Sequence, residues 1–372
     1  MPLSVPFPRM TTVLHVIDEH TAEDMLEQLA LLRGGEAVAC IGPPPAHLPF
    51  EGPVQQVHCP LGVGRLAGPG LARLAKRANI LHAWSFLAAR ASCAAARRLR
   101  KHVVLSLPHA PRGDTADRLR SLIRSGVTFI TVPTKASREA MLAAGVPDRA
   151  VEVMPPPAAA PADTDRRRAH VREELAIGDL PLIVAPHAMT PAGGHKYALW
   201  AYAIVRKMLP PARMIFPTTT PFLPRVRFFA ETTGYLDEIL FTGRRFARDD
   251  LLSAADVAVF FHERDDGVAS LVAAMAAGIA IAASDTPDAA ECLDGWRCGL
   301  RARPSNPQTA AAALLRLLEE PDLARRLADA ARRRAQEVFG VQASRRRLRD
   351  IYRRFGSAPL PPRLDAPLAG AI

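Results

Sequence analysis

Residues 241–304 read FTGRRFARDDLLSAADVAVFFHERDDGVASLVAAMAAGIAIAASDTPDAAECLDGWRCGLRARP, and their alternation decides the fold. A short apolar strand ends at Gly243. DDLLSAA then predicts a helix, DVAVFF a buried strand, ASLVAAMAAG a helix closed by Gly278, and IAIAAS another buried strand. Continuous apolar strands separated by single helices imply a parallel sheet with crossover helices rather than hairpins. The run from Val268 to Ser284 approaches the length of a membrane span. It is rich in Ala, broken by Gly278 and bounded by Asp266 and Asp285, so it reads as a buried helix followed by a buried strand.

The same alternation extends in both directions. PLIVAPH, ARMIFPT and EILFTG read as strands, with KYALWAYAIVRKML and RVRFFAETTG as helices between them, and two helices close the second half. In the first half TTVLHVI, AVACIG, NILHAWS, HVVLSLPH and VTFITVP read as strands. Helices are expected at TAEDMLEQLALL, with Thr21 as N-cap, and at LARLAKRA, ARASCAAARRLR, TADRLRSLIRSG and KASREAMLAAG. EVMPPPAAAPADTD interrupts the pattern with a stiff proline segment. This places an N-terminal domain at 10–156, a linker at 157–165 and a second domain at 166–340. A C-terminal helix at about 341–355 is expected to pack back on the first domain, and 356–372 to be disordered. The expected fold class is α/β: two doubly wound Rossmann-like domains facing across a cleft, with ligands at the carboxyl ends of the strands.

Composition narrows the functional classes. The chain has 372 residues, 48 Lys and Arg against 37 Asp and Glu, and a formal charge of +11. Nucleic acid, an anionic membrane surface and a phosphorylated substrate all suit such an excess. No aromatic interleaving or nucleic-acid motif accompanies it, so no nucleic-acid partner is expected. The arginines cluster in stretches such as RRRAQEVFGVQASRRRLRDIYRRF. Five scattered cysteines give no Cys-x-x-Cys pair, disulfide framework or zinc site, which fits a reducing compartment. Prolines in MPLSVPFPRM argue against a signal peptide, and Met10 is a second candidate start. A cytoplasmic protein, peripheral at the inner face of the membrane, is the expected location.

The second half resembles family-4 glycosyltransferases (glycosyltransferase group 1, GT-B fold) nearly element for element. Gly243, Ala255-Asp256, Ala274-Met275-Ala276, Gly278, Glu291, Gly295 and Gly299 stand at the family's motif positions. VPTKASREAMLAAGVPDRAVEVMPPP, residues 132–157, is similar to the family's segment before the linker. The resemblance implies transfer of a sugar from a nucleotide-sugar donor to a lipid, polysaccharide or other glycan acceptor. It further implies retention of configuration and no need of a metal or cofactor.

Such a transferase must stabilise a diphosphate leaving group, which cationic side chains and helix N-termini do. In HAMTPAGGHKY, residues 187–197, the resemblance makes Lys196 the family's donor-binding lysine. It puts His187 where the family has an arginine, and a histidine there is cationic only if its pKa is raised. The family's paired glutamates correspond to Asp265 and Ala273. The lost charged hydrogen bond at Ala273 costs about 1.5–3 kcal/mol, or roughly ten- to a hundredfold in binding. Asp266, Gly267, Ser270 and their backbone groups are candidate substitutes in the donor site. Thr218, Thr219 and Thr220 replace a glycine turn, and VIDEHTAED lacks the paired glycines of the family's first loop. His109 matches a family histidine and is the catalytic candidate, whereas His82 matches a mainly structural position. No Ser-His-Asp spacing, metal-ligand cluster or Walker loop is present. Two readings stay open: an active hexosyltransferase-type enzyme, and a catalytically inactive GT-B-fold binding or scaffold protein.

Overall fold

The computed structural model describes residues 13–34, 36–209, 211–217 and 220–356. The expectations for Met10, for Thr218 and Thr219, and for the tail after Gly356 lie outside the described residues. Two compact units are present: the chain up to Met154 together with the segment from Gln342 onward, and Pro155–Val341.

In the first unit seven parallel strands form one sheet in the order β3-β2-β1-β4-β5-β6-β7. They are β1 (Val13–Asp18), β2 (Ala37–Ile41), β3 (Val54–Val57), β4 (Ile80–Ala83), β5 (His102–Ser106), β6 (Phe129–Val132) and β7 (Val151–Val153). The crossover helices are α1 (Glu23–Leu32), α2 (Gly64–Leu74), α3 (Phe86–Leu99), α4 (Asp114–Ser125) and α5 (Lys135–Ala143). The reversal of order between β1 and β4 marks a doubly wound sheet. β1, β4, β5 and β6 are buried along their whole length, as a sheet covered on both faces requires.

The second unit repeats the plan with the order β10-β9-β8-β11-β12-β13. Its elements are α6 (Thr164–Glu174), β8 (Leu182–Val184), α7 (His195–Arg206), β9 (Arg213–Phe216), α8 (Leu223–Thr233), β10 (Ile239–Phe241) and α9 (Arg248–Ala254). Then come β11 (Val257–Phe260), α10 (Val268–Ala277), β12 (Ala280–Ser284), α11 (Pro287–Cys292), β13 (Leu300–Ala302), α12 (Pro307–Glu319) and α13 (Pro321–Val338), after which α14 (Val341–Gly356) returns to the first unit. α10 is apolar all round and nearly every residue of it is buried, so the Val268–Ser284 run is interior helix and strand. Among the described residues no helix is long and apolar enough to cross a membrane.

Some elements differ from expectation. α1 starts after Ala22, not Thr21, because the Thr21 hydroxyl accepts a bond from the Asp18 amide (2.9 Å) and braces the turn instead. β3, β7 and β13 escape the sequence because each is only three or four residues long and all three are sheet-edge strands. α6 escapes because it is almost wholly polar. Its Arg168 and Arg172 donate to the Asp256 carboxylate at 2.8 and 2.7 Å, and the Leu182 amide donates to it at 2.8 Å. Asp256 of the Ala-Asp motif therefore pins α6 and the start of β8. α14 docks in the first unit, where Leu348, Ile351 and Tyr352 are buried with Val13, Ile17, Leu29 and Trp84.

Candidate functional site

Two loops leave the carboxyl ends of neighbouring central strands in the second unit: 185–194 after β8 and 261–267 after β11. Each ends at the N-terminus of a helix. α7 is preceded by Gly194 and α10 by Gly267, and neither cap is closed by a side-chain hydrogen bond. Both glycines have positive φ, 72° and 65°. A Cβ at Gly194 would lie 1.7 Å from the Phe261 carbonyl oxygen, and one at Gly267 would lie 2.8 Å from the His262 ring. Only glycine lets the loops interlock this closely. The Glu263 amide donates to the Ala192 carbonyl (2.9 Å), and the Thr220 hydroxyl donates to the Met189 carbonyl (2.9 Å), so both loops are braced.

Lys196 is the second residue of α7 and is about half exposed. Its ammonium lies 2.8 Å from the Glu263 carboxylate and over the Tyr197 ring at 4.7 Å. The hydrogen bond to Glu263 raises the lysine pKa, and its reciprocal lowers that of Glu263, so both are ionised at neutral pH. Glu263 was missed in the sequence. Its only sequence signal is the acidity of the HERDDG loop, which it shares with Asp265 and Asp266. A cation at a helix N-terminus is unfavourable against the helix dipole, and the Glu263 carboxylate offsets that.

His187 is buried beneath these groups. Its Nε2 bonds the Gly193 carbonyl (2.9 Å), and its ring lies 4.5 Å from His195 and 4.1 Å from His262. Desolvation, reinforced by His262, holds its pKa well below the usual histidine range. The ring is neutral, so His187 does not replace the family's cationic arginine. Lys196 is left as the cation of this loop.

The remaining candidates take different places. Asp265 Oδ1 accepts from the Asp288 amide at the start of α11 (2.9 Å), which ties the acidic loop to that helix. Asp266 Oδ1 accepts from the adjacent Gly267 amide (2.8 Å). Ser270 is fully buried inside α10, and Ala273 is buried in the apolar core of the unit. His109 belongs to the first unit, half-buried after β5, with Nδ1 3.1 Å from the Ala110 carbonyl oxygen. In the first loop, buried Asp18 accepts from the Ala88 amide (3.1 Å) and the Ser85 hydroxyl, closing the N-terminus of α3 with its own carboxylate. Among the described residues no group of three His, Cys, Asp or Glu side chains is arranged to hold a metal.

Residues 167–334 match the family model for glycosyl transferases group 1. No curated protein sequence matches the chain. Solved structures resemble it along nearly its whole length. Anabaena HepE, in complex with UDP and glucose, superposes with a TM-score of 0.76 at 15% identity, covering 92% of this chain and 100% of that one. A glycosyltransferase from Rickettsia africae gives 0.73 at 15% identity, covering 94% and 99%. Sucrose-phosphate synthase from Thermosynechococcus elongatus gives 0.70 at 16% identity, covering 92% and 99%. The chain has the GT-B glycosyltransferase fold of two parallel-sheet Rossmann-like domains, and its second unit matches the group 1 glycosyltransferase family.

Proposed function

We propose that this protein transfers a hexose from a nucleoside diphosphate donor to a glycan or lipid-linked acceptor, as a group 1 enzyme of the family-4 type. The observation that carries the proposal is Lys196, held ionised between two uncapped helix N-termini at the carboxyl ends of β8 and β11. Breaking the bond between the anomeric carbon and the phosphate oxygen leaves charge on the diphosphate. Lys196 and the N-terminal ends of α7 and α10, which no side chain caps, are assigned to that charge without a metal. Asp265 and Asp266 are assigned to the donor-sugar side of the loop, and Gly267 allows backbone approach. Ser270, enclosed in α10, is assigned to shaping the loop rather than to direct contact. His109 is assigned to orienting the reacting hydroxyl. Retention of configuration follows the family resemblance.

The inactive reading rests on specific observations of its own: Ala273 carries no polar group, and a neutral His187 leaves Lys196 as half of the expected clamp. Isothermal titration with UDP-glucose and UDP, followed by a transfer and hydrolysis assay, separates the two. Donor binding with slow sugar release supports the enzyme, and binding without turnover supports the scaffold. Lys196→Ala is expected to weaken UDP binding at least tenfold, in line with about 1.5–3 kcal/mol for a charged hydrogen bond. Unchanged affinity in that variant would remove the site assignment.

A further inference from the structure

The positive charge is spread unevenly along the chain. From Gly52 to Gly113 there are ten Lys and Arg residues and no Asp or Glu. The arginine-rich C-terminal stretch is different, because several of its side chains are used internally. Arg334 donates to the Cys292 and Glu291 carbonyls, Arg345 to the Leu31 carbonyl, and Arg354 to the Glu152 carboxylate.

Within the acid-free stretch, α2 lies against α3 at backbone distance. A Cβ on Gly64 would sit 2.9 Å from both the Leu87 Cδ1 and its carbonyl oxygen, and one on Gly68 would sit 2.6 Å from the Ala94 Cβ. Four residues apart, the two glycines share one helix face. The opposite face is therefore turned outward, and Arg65, Leu66 and Arg73 are exposed on it. Just before α2, Leu61 has φ 56° and is 92% exposed, and Val63 is exposed beside it. A leucine in the left-handed region is strained, and here no packing compensates for it. Arg90 of α3 is exposed next to Gly64.

We propose that this end of the first unit docks on an anionic lipid bilayer, with Leu61, Val63 and Leu66 entering the headgroup boundary and Arg65, Arg73 and Arg90 meeting lipid phosphates. Exposed apolar side chains beside Arg65 and Arg90 match an interfacial surface in both chemistry and charge, and the carboxylates that reach nearest are Asp18 and Glu19, which act on Cys59. Nucleic acid would satisfy the arginines but would leave the leucines exposed, and Trp84 of the same stretch is buried and offers no base a stacking platform. The surface stands apart from the donor reading, since all of these residues lie in the first unit.

Co-sedimentation of the full chain with phosphatidylcholine vesicles, with and without phosphatidylglycerol, tests this. Binding is expected only with the anionic lipid, falling as salt rises. Leu61→Gly combined with Leu66→Ser should weaken it roughly tenfold, the scale of one inserted leucine. Arg65→Gln should weaken it about fivefold. Because glycine adopts the Leu61 backbone angle without strain, Leu61→Gly alone keeps the fold and still reads the contact. Absent binding to anionic vesicles, or binding undiminished by the leucine changes, overturns the proposal. Tight duplex DNA binding that the leucine changes leave intact, together with weak vesicle binding, reassigns the surface to nucleic acid and equally overturns it.

Discussion

Each unit buries a cluster of histidines at or near the carboxyl ends of its central strands, and the two clusters are bonded differently. In the first, His82 uses both ring nitrogens, Nδ1 with the Tyr352 hydroxyl (2.5 Å) and Nε2 with the Ser106 hydroxyl (2.7 Å). Ser106 continues to Thr131 (2.6 Å), and Trp84 donates to His15 Nδ1 (3.1 Å). In the second, His187, His195 and His262 pack ring against ring. The His187 Nδ1 and the His262 Nε2 are buried with no hydrogen-bond partner among the described residues. A satisfied network specifies one packing, whereas an unsatisfied buried nitrogen is a standing cost. The first cluster therefore reads as structure, fastening α14 through Tyr352. The second lies under the loops that present Lys196 and Glu263, where fold stability is spent on loop geometry.

The largest expected effect tests the first half of that contrast. His82→Ala removes a buried ring and strands the Tyr352 hydroxyl, at about 1–3 kcal/mol in addition to the cavity, while Ser106 keeps its bond to Thr131. A loss of roughly 3–5 kcal/mol is expected in denaturant unfolding of the first unit, followed through Trp84, which stacks on His82 at 4.5 Å. A loss below about 1 kcal/mol would mean that α14 is held by apolar packing alone.

The second cluster should behave in the opposite way at neutral pH. His262→Leu removes an unpaired buried nitrogen, so stability should change by no more than about 1 kcal/mol. Its effect should appear in acid. Burial pushes His262 and His15 down to about 3, and holds His82, His187 and His195 well below the ordinary range. Each folded pKa lies below its unfolded value near 6.5, so the unfolded chain binds the extra protons. Stability is fully present above about pH 6.5 and falls as pH drops toward 3, by about 1.4 kcal/mol per pH unit for each histidine. His262→Leu should reduce that slope by one histidine's share, and an unchanged slope would place its proton elsewhere.

The two clusters also show what a single sequence can carry. The alternation of apolar strands and helices was legible because burial on both faces of a parallel sheet demands continuous apolar runs, as in Val257–Phe260 and Ala280–Ser284. Short strands such as Val54–Val57, with glutamines at its centre, left no such trace. Lys196 was legible by resemblance, but its partner Glu263, 67 residues further on, was not, since pairing depends on how two distant loops interlock. Whether His187 is charged was equally hidden. A histidine's protonation follows its burial, and burial here depends on the Gly193 carbonyl and the rings of His195, Phe260 and His262 closing round it.

The smallest predicted effect concerns Glu263. Its carboxylate neutralises Lys196 at the place assigned to the donor diphosphate, and an incoming phosphate would meet that negative charge. Both side chains are partly exposed, so the interaction is screened and lies within about 0.2–1 kcal/mol for such pairs. Glu263→Gln keeps the side-chain shape and removes the competing charge. UDP should then bind about two- to fivefold more tightly, in a Lys196-dependent manner that the Lys196→Ala background abolishes. If UDP affinity is unchanged while UDP-glucose affinity falls, Glu263 contacts the sugar instead, and Lys196 holds the diphosphate without competition. The second unit's loop charges would then be arranged for the donor's two ends separately, and Glu263 would take over the sugar-side role proposed for Asp265.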